Sequence, residues 1–187
     1  MAKFRNKCRI ESTRNPNWDY GLNGAYYITI CTKNRKLYFG YIENGEMNLS
    51  EIGKIAHQYF SEIPDHFPFV KLGAFVIMPN HVHGIIIIDK KPVETQNFAS
   101  LHVPLNIPIH QPPKTKNKFG PQSQNLGSIV RGFKTGVKKF ATMHKINFTW
   151  QPKFHDHIIR NKPEYNRIKK YILNNPANWD DDKFYNL

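Results

Sequence analysis

Two histidines one residue apart, His81 and His83, stand at the head of an apolar run, Ile85 to Ile88. Side chains alternate faces along an extended chain, so both imidazoles point one way and Val82 the other. The isoleucine run is apolar toward both faces, the pattern of a strand inside a sheet. Imidazole is the commonest protein ligand for a divalent metal, and a pair presented on one strand face is a natural place for such an ion. Far downstream, Tyr171 and Asn175 are one helical turn apart and share a face. If that face closes over the strand end, the Asn175 carboxamide completes a metal set with His81 and His83. The Tyr171 phenol is then placed to attack a phosphorus atom bound to the same metal.

Each of these residues also has an ordinary reading. A histidine pair on a strand is often no more than two satisfied side chains. Ile168, Tyr171, Ile172 and Asn175 form one helical stripe, which is equally what a core-facing helix looks like. Asn175 precedes Pro176, where helices ordinarily end. His155 and His157 are a second pair at the same spacing, but no apolar run lies behind them. They read as DNA-contacting or structural.

The composition narrows the partner. Lys and Arg outnumber Asp and Glu by 27 to 14 in 187 residues, a net charge of +13. An excess that large points to a polyanion, most simply nucleic acid. No amphipathic basic helix with a large apolar face and no bilayer-length apolar run supports a membrane instead. The two cysteines, Cys8 and Cys31, have neither paired nor metal-finger spacing, which fits a reducing compartment. The basic start of the chain has no apolar core behind it, so a cytoplasmic protein is expected.

Ala25 to Thr32 is rich in β-branched and aromatic residues and reads as the first strand. Asn44-Gly45 between short apolar stretches marks a hairpin, because both turn positions favour positive φ. Ser50 caps a helix that the apolar spacing carries to Pro64. Phe69 to Met78 and His81 to Asp89 form the central strand pair. From about 90 to 124 the chain is Pro-rich, polar and basic without a period, expected to be a mobile loop inside one domain spanning 1–187. Leu126 opens an amphipathic helix, Phe148 to Arg160 gives a strand interrupted at Pro152, and Pro163 opens a last helix ending at Asn175. Leaving out the hairpin, the order is strand, helix, strand, strand, helix, strand, helix. That is the α+β split βαβ pattern: an antiparallel sheet with helices on one face, plus a C-terminal helix carrying the tyrosine. Lys33, Arg35 and Lys36, with Arg131, Lys134, Lys138 and Lys139 on the long helix, are expected to line a DNA path. Tyr26, Trp150 and Phe154 are candidates for stacking on bases.

His81-Val-His83 with its apolar strand resembles the paired-histidine motif of the HUH endonucleases. With Tyr171-Ile-Leu-Asn-Asn175 downstream, the chain resembles the single-tyrosine transposases of the insertion-sequence 200 type, and most closely the REP-associated tyrosine transposases. Gly24 to Arg35, Val76 to Gly84, Trp150 to Arg160 and Tyr171 to Pro176 carry the likeness. The resemblance implies a ferredoxin-like core and cleavage of single-stranded DNA at hairpin-bearing ends, with Mg²⁺ or Mn²⁺ as cofactor. Tyr171 matches the nucleophile that becomes joined to the 5′ phosphate, and His81 and His83 match two metal ligands. Asn175 falls where relatives place a third polar ligand, often the longer Gln. Relatives include dimers that swap the tyrosine helix as well as monomers. Two alternatives stay open: a non-catalytic nucleic-acid-binding descendant, and a metal-dependent nuclease using water.

Overall fold

The computed structural model describes residues 17–90 and 123–185, together with Asn15, Lys3–Phe4 and Lys7–Cys8. Of the basic stretch expected to form a mobile loop, residues 91–122 lie outside the described residues. In chain order, β1 (Lys3–Phe4) and β2 (Lys7–Cys8) pair with each other, and β3 (Gly24–Cys31) runs into a 3-10 turn at Lys33–Arg35. The hairpin β4 (Gly40–Glu43) and β5 (Glu46–Leu49) leads to α1 (Glu51–Ser61) and the short α2 (Ile63–His66). Then come β6 (Val70–Met78), β7 (His81–Ile88), α3 (Leu126–Met143), β8 (His155–Ile159) and α4 (Lys162–Asn174). A 3-10 turn at Pro176–Asp181 follows.

Local chemistry sets the boundaries. Ser50 accepts from the Gly53 N–H at 3.1 Å, Asn125 from Ser128 at 2.9 Å and Asn161 from Glu164 at 2.9 Å, each satisfying a donor at a helix start. Asn44 and Gly45 both take positive φ, 53° and 77°, as the hairpin requires. Pro64 does not close the helical run. It sits in the first turn of α2, where its missing N–H is not needed. Pro152 does break the last strand: Trp150 makes only an isolated bridge to Thr32, and regular pairing resumes at His155.

The main sheet has the order β6-β7-β3-β8, antiparallel throughout. β7 is paired along both edges, which is why its isoleucines need no polar alternation. Val82, Ile86 and Ile88 join Tyr26, Ile28 and Ile30 in the core under α1 and α3. Ile85 faces the other way and packs with Ile159, Ile168 and Ile172 of β8 and α4. The fold is therefore α+β with an antiparallel sheet, and α4 covers the face opposite to α1 and α3. Tyr26, a candidate for base stacking, is instead fully buried, its hydroxyl bonded to the Leu22 carbonyl at 3.1 Å. Among the described residues, no helix is long and apolar enough to cross a membrane.

Gly84 shows how tightly the layers meet. A Cβ there would lie 2.5 Å from Cζ of the buried Phe60. Gly84→Ala is expected to destabilise the fold by about 1–3 kcal/mol through overpacking. Urea unfolding would show a lower midpoint at unchanged slope; an unchanged midpoint would mean that the Phe60 ring has room to yield.

Candidate active site and metal centre

The strand register builds one polar row across the α4 face. His81 lies opposite Cys31, and His83 opposite Thr29. On the far side of β3, Thr29 faces His155 and Tyr27 faces His157. His81 and His83 are completely buried, with ring centroids 4.4 Å apart. Their outer nitrogens are held from behind. His81 Nδ1 meets Asn80 Oδ1 at 2.8 Å. His83 Nδ1 meets the Tyr27 hydroxyl at 2.8 Å and Thr29 Oγ1 at 2.9 Å. In each ring Nε2 is left to face the site.

Burial dominates the electrostatics. It pushes the His81 pKa down to about 3, against the opposing pull of the nearby Asn175 amide, with the cations Lys183 and Arg35 adding to the lowering. It drives His83 well below the ordinary range as well, aided by repulsion from His81. Both rings are thus neutral at physiological pH, the form in which imidazole ligates metals. Among the described residues, His81 Nε2 and Asn175 Oδ1 are buried without a hydrogen-bond partner. With the proton of the neutral His81 ring on Nδ1, facing the Asn80 oxygen, both are acceptors, so neither can satisfy the other. A cation between them would.

α4 and the segment after it form the roof. The Tyr171 hydroxyl lies 3.5 Å from His83 Nε2, with its ring edge-on to that of Tyr27. Burial raises the Tyr171 pKa, and the Asp182 carboxylate raises it further. Asn175, 2% exposed, donates through Nδ2 to Asp182 at 3.0 Å. Asp182 is the residue that sequence reasoning missed. One of its oxygens and one nitrogen from each of His81 and His83 all lie within 4.8 Å of one another, a group that could hold a metal ion. Its position depends on the tail folding back: the Phe184 ring sits 4.6 Å from that of His81, and the Phe184 carbonyl accepts from Asn80 Nδ2 at 2.8 Å. The acidic run 180–182 was visible in the sequence, but no spacing rule ties it to residues a hundred positions earlier.

The other candidate residues fall into three places. Lys33, Arg35 and Lys36 follow β3 at the tail side of the site, where Arg35 donates to the Lys183 carbonyl at 3.2 Å and stacks over Phe184. His155 and His157 line a cavity of about 760 Å³ with Tyr27, Arg167, Lys170 and Tyr171. Both histidines are exposed, and His157 also contacts Glu164 at 2.7 Å, tying β8 to the start of α4. Arg131, Lys134, Lys138 and Lys139 border a groove of about 770 Å³ between α3 and the segment containing Trp150 and Phe154. Two of them also have structural partners: Lys134 donates to the Gln151 carbonyl at 2.7 Å and Lys138 to that of Phe148 at 2.6 Å. Arg131 and Lys139 are exposed.

No family model matches the chain. An uncharacterized protein of Haemophilus influenzae is 40% identical over 175 residues, which are 93% of this chain and 92% of that protein. The chain belongs to the family of that Haemophilus protein. Among solved structures, a REP-associated tyrosine transposase bound to a REP hairpin is similar with a TM-score of 0.57 at 17% identity. The match covers 91% of this chain and 74% of the other. At that identity the likeness shows the fold, which is transposase-like.

The depressed histidine pKa values make stability depend on pH. Between about 6.5, the unfolded value, and about 3 for His81, the unfolded chain takes up a proton that the folded chain refuses. Stability is therefore complete above about pH 6.5 and falls as the pH drops, by about 1.4 kcal/mol per pH unit for each such histidine. Urea unfolding of the metal-free protein from pH 7 to 5 should show this slope, reduced in His81→Phe. Equal slopes in parent and variant would contradict the assignment.

Proposed function

We propose that this chain is a metal-dependent DNA-nicking and joining enzyme that attacks single-stranded DNA with Tyr171. The observation that carries the reading is the approach of the Tyr171 hydroxyl to 3.5 Å from His83 Nε2, at the edge of a buried set of acceptors that calls for a cation. His81 and His83 would hold that cation through Nε2, with Asn175 Oδ1 and Asp182 as further oxygen donors. This mixed nitrogen and oxygen set suits Mg²⁺ or Mn²⁺, with imidazole favouring Mn²⁺ of the two. When bound, the metal supplies charge neutralisation at the scissile phosphate.

The protein's own groups do the rest. Tyr171 is on a helix anchored by the buried Ile168 and Ile172, which fixes the line along which its oxygen approaches. In the step, the Tyr171 oxygen bonds to phosphorus and the bond from phosphorus to the 3′ oxygen breaks. The 3′ oxygen leaves as a hydroxyl, taking up a proton equivalent to the one that the phenol gives up. The 5′ phosphate stays on Tyr171, so the bond energy is conserved and the step reverses when a 3′ hydroxyl returns. His155, Arg167 and Lys170 flank the adjoining cavity and would receive the DNA strand. Arg35 and Lys183 place positive charge beside the histidines. The exposed Arg131 and Lys139, with Lys33 and Lys36, extend the basic surface and would bind backbone phosphates in a salt-dependent manner. Hairpin-bearing single-stranded DNA is the substrate class, in keeping with the fold neighbour bound to a REP hairpin.

Incubation of labelled single-stranded hairpin DNA with Mn²⁺ tests the reading. The parent is expected to give a denaturation-resistant protein–DNA adduct and Tyr171→Phe none. Cleavage by both without adduct would point to an activated water, and binding without cleavage to a non-catalytic protein. A companion comparison separates the two histidine pairs. His81→Ala should lose Mn²⁺ binding by calorimetry and His155→Ala keep it; equal loss would place the metal elsewhere on the row.

A further inference from the structure

Asn80 takes no part in the chemistry above, yet it is fully buried beside His81. Pro79 and Asn80 form the corner between β6 and β7, and their backbone is pinned. The Pro79 carbonyl accepts from the Phe39 N–H at 3.0 Å. The Asn80 carbonyl accepts from the Thr32 N–H at 2.9 Å and from Thr32 Oγ1 at 3.0 Å. A side chain rising from so fixed a corner has little freedom.

Its amide makes two bonds of opposite polarity. Nδ2 donates to the Phe184 carbonyl at 2.8 Å, which turns Oδ1 toward His81 Nδ1, also at 2.8 Å. A carboxamide oxygen only accepts, so the proton of the neutral His81 ring must be on Nδ1. Nε2 then carries the lone pair, and it is this nitrogen that is buried without a partner among the described residues. Free neutral histidine prefers the other tautomer, with the proton on Nε2. The fold has therefore selected the less common form, and Asn80 is the group that selects it.

We propose that Asn80 is the positioning residue that fixes His81 as an Nε2 donor to the metal. The inference rests on the reading of His81 as a metal ligand given above. Removing the acceptor lets the ring adopt its ordinary tautomer and present an N–H where the lone pair is needed. Groups that orient a ligating histidine in this way typically change metal affinity 10–100-fold when lost.

The test has a spectroscopic arm and a metal arm, both on the full chain. In ¹⁵N spectra of the metal-free protein, His81 should show a protonated Nδ1 and an unprotonated Nε2. Asn80→Asp keeps an acceptor toward Nδ1 and should keep that signature. Asn80→Leu, of similar volume but with no acceptor, should move the proton to Nε2 and weaken Mn²⁺ binding by about 10–100-fold in calorimetry. A parent His81 protonated on Nε2 would overturn the proposal, and that measurement decides even if Asn80→Leu does not fold. Mn²⁺ binding with an unshifted tautomer in Asn80→Leu would overturn Asn80's part alone, whereas a parent that binds no Mn²⁺ would overturn the metal site itself.

Discussion

Two buried acceptors to which nothing among the described residues donates, His81 Nε2 and Asn175 Oδ1, are the constraint on which the site depends. An unsatisfied buried polar atom costs about 1–3 kcal/mol, so a fold keeps such a pair only when other interactions hold it in place. Here they do. Asn80 holds one ring, Tyr27 and Thr29 hold the other, and Asp182 holds the Asn175 amide. The same burial keeps both imidazoles neutral, which leaves their lone pairs free for a cation.

The sheet makes this arrangement affordable by dividing labour between its faces. One face carries the large core beneath α1 and α3, and the other carries only the smaller cluster under α4. Because α4 packs through Ile168 and Ile172, Tyr171 between them and Asn175 at the C-terminal cap come over the strand ends. Antiparallel pairing of β3 with both β7 and β8 extends the row of histidines and hydroxyls toward the exposed edge. The C-terminal segment then closes the remaining side with Asp182 and Phe184.

Much of this was legible in the residues. Period-two alternation placed His81 and His83 on one face, and the isoleucine run marked β7 as interior. The spacing of Tyr171 and Asn175 put them on one side of a helix. That this side faces the histidines did not follow from periodicity, since the stripe Ile168, Tyr171, Ile172, Asn175 reads equally as core; the resemblance to the tyrosine transposases supplied that step. Asp182 and Asn80 were not legible, because each acquires its role through contacts that only the folded tail creates. The sequence shows that Arg131, Lys134, Lys138 and Lys139 share the long helix, but it cannot show that the Lys134 and Lys138 ammonium groups reach backbone carbonyls across the groove.

The most direct measurement is anomalous diffraction from a crystal of the full chain soaked in Mn²⁺. A single anomalous peak within coordination distance of His81 Nε2 and His83 Nε2, with the Tyr171 hydroxyl beside it, is the expected result. A peak at His155 and His157 instead, or a Tyr171 ring turned away from the ion in the protomer and its neighbours, would contradict the account.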